Sequence, residues 1–166
     1  MRTIRTKVFK FDELTTEGQE KAMENLSDIN IDFEWWKPVY EDAERIGLKI
    51  TGFDIDRGSY CKGEIIGTSE ETARLIMSEH GKDCETVKTA KEFLVQLEAY
   101  QAKADGDQDG DFETEIEELE EDFLKSICED YRIMLQKEFE YQTSEEAIIE
   151  TIEANEYEFY ANGKLI

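Results

Sequence analysis

Leu48-Lys49-Ile50-Thr51-Gly52-Phe53-Asp54-Ile55-Asp56 alternates apolar and polar side chains, the period of a half-buried strand. Arg57-Gly58-Ser59 follows as a turn, and Tyr60 to Ile66 reads as the partner strand of a hairpin. Working outward, the pattern becomes helical on both sides. Gly47 stops a helix expected near Phe33 to Ile46, and Ser69 caps one over about Glu70 to His80, closed by Gly81. A further helix is expected over about Glu85 to Ala102, with Val87, Ala90, Phe93, Leu94 and Leu97 on one stripe. A hairpin set among helices points to the α+β class.

The outer segments extend the pattern. Arg2 to Phe11 alternates and reads as a first strand, after which Thr15 or Thr16 caps a short helix to about Leu26. From about Glu113 to Tyr141, Ile116, Leu119, Phe123, Ile127, Tyr131 and Met134 make the buried stripe of a long helix. Thr143 and Glu146 have capping-box spacing before a helix ending near Ala154. Tyr157 to Tyr160 and Lys164 to Ile166 flank Asn162-Gly163, a hairpin turn signal. The expectation is one domain over residues 1–166, with an acidic loop near 103–112 joining two helical parts. Its small, mostly antiparallel sheet would hold two hairpins and the N-terminal strand. Five or six helices, one of them long and acidic, would cover that sheet.

Charge narrows the function. There are 42 Asp and Glu against 19 Lys and Arg, a net charge of −23, while 39% of the residues are hydrophobic. That apolar share suffices for a packed core, so the chain is not an acidic disordered tail. Residues 84–166 hold 24 acids and 7 bases, against 18 and 12 in residues 1–83. Between Asp105 and Asp122 there are 11 acids and no base. Direct nucleic-acid binding requires Lys and Arg clusters that are missing, whereas a basic protein partner is favoured. No stretch approaches the roughly 20 apolar residues of a membrane span, and Met1 to Arg5 lead into no apolar signal segment. Three cysteines without a CxxC pair fit reduced thiols in a cytoplasm.

Catalytic and metal motifs are weak by comparison. Asp105, Asp107, Asp109 and Gly110 match positions one, three, five and six of an EF-hand loop, but Ile116 occupies the twelfth, where a bidentate Glu is required. A weak Ca²⁺ module is therefore an alternative reading, and a solvated acidic linker the plain one. Cys61, His80, Cys84 and Cys128 do not follow zinc spacing. His80 is the single histidine, and no nucleophile elbow, P-loop, HExxH or GxGxxG accompanies it. The chain is expected to bind rather than catalyse, with no cofactor. Phe33, Trp35, Trp36 and Tyr40 form an aromatic cluster, read first as core and second as an exposed anchor.

Several segments together carry a likeness. They are Phe9-Lys10-Phe11-Asp12-Glu13-Leu14, Asp32-Phe33-Glu34-Trp35-Trp36, Phe53-Asp54-Ile55-Asp56-Arg57-Gly58-Ser59-Tyr60, Thr143-Ser144-Glu145-Glu146-Ala147-Ile148 and Glu150-Thr151-Ile152-Glu153-Ala154-Asn155-Glu156-Tyr157-Glu158-Phe159. In these the chain resembles a widespread family of small acidic proteins from phages, prophages and gut bacteria. The resemblance implies an anti-defence role in the cytoplasm of a bacterial host. The expected activity is anti-CRISPR inhibition, in which nucleic-acid mimicry blocks DNA access to a CRISPR effector nuclease or its guide complex. An antitoxin-like protein neutralising a basic toxin is the alternative. Independently of the likeness, the candidate contact residues are Asp105, Asp107, Asp109, Asp111, Glu113, Glu115, Glu117, Glu118, Glu121 and Asp122, with Trp35 and Trp36 as anchors.

Overall fold

Pro38 sits in the first turn of the helix Lys37–Arg45, where a missing backbone N–H leaves nothing unbonded, and that helix is the second of six among the described residues. In chain order the elements are α1 (Thr16–Asn25), α2 (Lys37–Arg45), β1 (Leu48–Asp54), β2 (Tyr60–Ile65), α3 (Ser69–Glu79), α4 (Glu85–Ala104), α5 (Phe112–Gln142) and α6 (Glu145–Ala154). The computed structural model describes residues 7–104 and 112–166, and its class is α+β. The described chain falls into two compact units: residues 7–35 with 137–166, and Trp36–Gln136.

The unit from Trp36 to Gln136 is built round the hairpin. β1 and β2 pair antiparallel, from Leu48 opposite Ile65 to Asp54 opposite Tyr60. The register shifts between Ile50 and Gly52, where the apolar residues of the sequence also change phase, from Leu48 and Ile50 to Phe53 and Ile55. Phe53 thereby meets the rings of Trp36 and Tyr40, at 5.9 and 6.0 Å between centroids. The N-cap of α3 is Thr68 rather than Ser69: Thr68 Oγ1 accepts from Glu71 N at 3.1 Å, and Glu71 answers on Thr68 N. Val39, Ala43, Ile46, Leu48, Ile76, Val87, Phe93, Phe123, Ile127 and Tyr131 are buried in this unit.

The other unit gathers the two ends of the described chain. Phe11, Leu14, Ala22, Ile148, Ile152 and Phe159 form its core. The strand expected over Arg2 to Phe11 is reduced, among the described residues, to one antiparallel bridge in which Phe9 and Phe159 exchange two backbone hydrogen bonds of 2.9 Å. Immediately afterwards Lys10 N donates to Glu13 Oε2 and the chain winds into a 3-10 turn, Phe11–Glu13, which ends the pairing. The second hairpin likewise contracts to a Phe159–Leu165 bridge round the Asn162-Gly163 turn. Gly163 is required there. Its φ is +76°, and a Cβ would lie 2.3 Å from Gly18 O. The cap of α6 is Ser144, accepting from Ala147 N, while Thr143 Oγ1 donates back to Phe139 O.

Candidate functional site

The acidic face of α5 follows directly from its residue order. An α-helix advances about 100° per residue. Phe112, Ile116, Leu119, Phe123 and Ile127 therefore fall on one side, and Phe123 and Ile127 are buried there. Glu113, Glu117 and Glu121 form a row beside that stripe, and Glu115, Glu118 and Asp122 form a second row beyond it. All six are exposed, and half-buried Glu120, absent from the expected set, falls next to the first row. Asp122 pairs with Lys125 at 3.1 Å; no other acid from Glu113 to Asp122 has an ion pair among the described residues. Elsewhere the acids are more often matched: Glu17 with Lys21, Asp42 with Arg45, Glu70 with Arg74, Glu85 with Lys88 and Glu129 with Arg132.

Asp105, Asp107, Asp109 and Asp111 lie outside the described residues, as does the loop part of the EF-hand-like pattern. Ile116, its twelfth position, is half-buried within α5, between exposed Glu115 and Glu117. Trp35 is removed from the candidate surface, because it is 7% exposed and packs on Phe139 at 5.3 Å. Trp36 is half-buried against Phe53. The aromatic cluster is thus mainly core, and Phe33, at 61% exposure, is its open member.

A polar constellation that the sequence did not bring together lies inside the Trp36–Gln136 unit. Asp42 of α2 accepts the phenol O–H of Tyr131 of α5 at 2.8 Å and pairs with Arg45. His80, at the C-cap of α3, places Nε2 3.4 Å from the same carboxylate, off the line of a hydrogen bond. Its Nδ1 lies 2.8 Å from Thr86 Oγ1 on α4. Burial, reinforced by the bond to Asp42, holds the Tyr131 phenol far above its ordinary range. The order Asp–His–Thr imitates a nucleophilic triad, but Thr86 is only 4% exposed and the histidine side chain 10%. The cluster joins residues of four helical segments, α2, the end of α3, α4 and α5. The single histidine was the available signal; Thr86 stands six residues after it, but Asp42 stands 38 before it and Tyr131, which bonds Asp42, 51 after it.

Among the described residues no three metal-ligating side chains converge. Cys61 and Cys128 meet, His80 is committed to Thr86 and Asp42, and Cys84 is exposed. No helix among the described residues is long and apolar enough to cross a membrane. Between α4 and α5 a small cleft of about 160 Å³ runs along Thr89, Glu92, Phe93, Gln96 and Asp122, floored by the stacked rings of Phe93 and Phe123. Comparison with protein-family models, curated proteins and solved structures finds no match for this chain.

Proposed function

We propose that this is an acidic binding protein that occupies a basic, nucleic-acid-binding surface on a host defence nuclease, most readily a CRISPR effector or its guide complex. It would act in the cytoplasm of a bacterial host. The observation that supports the reading is the charge density of α5. From Glu113 to Asp122 there are seven acids, and nine helical steps advance about 13.5 Å. That is about one negative charge per 2 Å of axis, against about one per 1.7 Å of duplex DNA. A helix fixes those carboxylates in rows, so less ordering entropy opposes binding than with a flexible acidic tail. The likeness to acidic phage and prophage proteins leads to the same class of partner.

The test is displacement of target DNA from a guide-loaded CRISPR effector by the purified protein, at two salt concentrations. Displacement should weaken as salt rises. Replacing Glu115, Glu118 and Asp122 together by their amides should raise the required concentration about tenfold, taking about 0.5 kcal/mol per contact. Unchanged displacement by that triple variant would refute α5 as the contact. An inert protein in this assay that rescues cells from a co-expressed basic toxin would establish the antitoxin alternative instead.

A further inference from the structure

Cys61 and Cys128 are free thiols 67 positions apart in sequence that converge in the Trp36–Gln136 unit. Cys61 lies on the inward face of β2 with Gly63 and Ile65, whereas Cys128 lies one turn before Arg132 on α5. Both line one open cleft of about 500 Å³, with Thr51, Ser59 and Leu124 among its walls. Gly63 lies beside Cys128, and its missing side chain spares a close contact with β1 there. A Cβ there would sit 3.5 Å from Cys128 Sγ and 3.0 Å from both Leu48 Cδ1 and Lys49 O. Cys61 is half-buried and Cys128 is 6% exposed, and both residues line the cleft.

We propose that Cys61 and Cys128 form a dithiol site that exchanges with a low-molecular-weight disulfide and closes into an intramolecular disulfide between β2 and α5. The Cys128 thiolate attacks one sulfur of the small disulfide, forming a mixed disulfide and releasing one small thiolate. Cys61 then loses its proton and attacks Cys128 Sγ, forming the Cys61–Cys128 bond and releasing the second small thiolate. The protein gives up two electrons and two protons, and the small disulfide becomes two thiols. The surroundings divide these roles. The Cys61 S–H and the Gly63 N–H both donate to Cys128 Sγ, which lowers the Cys128 thiol despite its burial. The same shared proton, with burial, pushes the Cys61 thiol far up. Cys84 is exposed on a different segment, after Gly81, and is replaced in the test so that it cannot compete.

The experiment uses the full chain carrying Cys84→Ser, incubated with oxidised glutathione, quenched in acid and digested without reduction. The intact mass should fall by about 2 Da, the two hydrogens lost on oxidation, and a peptide joining Cys61 to Cys128 should appear and vanish with dithiothreitol. A further Cys61→Ser change should halt the reaction at one stable glutathione adduct on Cys128. Two glutathione adducts on one chain, links only between chains, or unreacted thiols in folded protein that react fully in urea would each overturn the proposal. The linked peptide in the Cys84→Ser protein decides the matter even if the second variant fails to fold.

Discussion

Asp42→Ala should destabilise the Trp36–Gln136 unit well beyond the loss of a surface charge. The substitution leaves the O–H of Tyr131, a fully buried residue, without its acceptor, and removes the carboxylate 3.4 Å from His80 Nε2. An unsatisfied buried hydroxyl costs about 1–3 kcal/mol. The lost pairing with Arg45, whose side chain is 67% exposed, adds no more than about 1 kcal/mol. The expected total is about 1–4 kcal/mol, or about 0.5–2 M in urea midpoint. Tyr131→Phe should cost less, about 1 kcal/mol, because the freed carboxylate keeps Arg45 and water. The chain's two tryptophans allow a local readout. In a Trp35→Phe background, Trp36 fluorescence follows the unit in which it packs on Phe53. If Asp42→Ala costs no more than Arg45→Ala, the buried network is not stabilising and the reasoning fails.

Two further outcomes test other parts of the fold. Burial raises the Asp130 carboxyl above its ordinary 3.8, against the Thr89 hydroxyl bond, which lowers it. A raised acid favours the folded state below its unfolded pKa and loses that contribution as pH rises through the folded value. Asp130→Asn should therefore increase stability to urea at neutral pH, by less than about 1 kcal/mol for a half-exposed group, and the gain should close as pH falls toward 3.8; a loss at neutral pH would count against burial as the controlling effect. Gly163→Ala should destabilise the unit containing α1 and α6 by about 2 kcal/mol or more. It forces a side chain into a positive φ and against Gly18 O. An unchanged melt of Trp35 fluorescence in a Trp36→Phe background would show that the turn relaxes freely.

Local order was legible where its cause was local. The β1–β2 hairpin, the stop at Gly47 and the apolar stripe of α5 all follow from spacing within a few residues, and so does the acidic surface opposite that stripe. Caps were legible to within one position, Thr68 for Ser69 and Ser144 for Thr143, because neighbouring hydroxyls compete for the same orphan N–H groups. The N-terminal pairing was not. Its partner, Phe159, lies 150 residues away, and alternation alone does not reveal that Glu13 will draw the chain into a 3-10 turn. The Asp42–His80–Thr86–Tyr131 network was hidden for a related reason, since four separate helical segments supply it. Trp35 and Trp36 look equivalent in sequence, yet they pack in different units.

The division of the chain also sets an order of assembly in time. Residues 36–136 are contiguous, so every contact inside that unit is available once Gln136 has left the ribosome. The unit holding Phe9, Phe11 and α1 must wait for the 30 residues that follow, because Ile148, Ile152 and Phe159 complete its core. At about 5–20 residues per second that wait is roughly 1.5–6 s. During it the apolar face of the N-terminal segment has no partner of its own. A chain interrupted in this interval would carry one finished unit and one exposed hydrophobic half, the form that chaperones and proteases recognise.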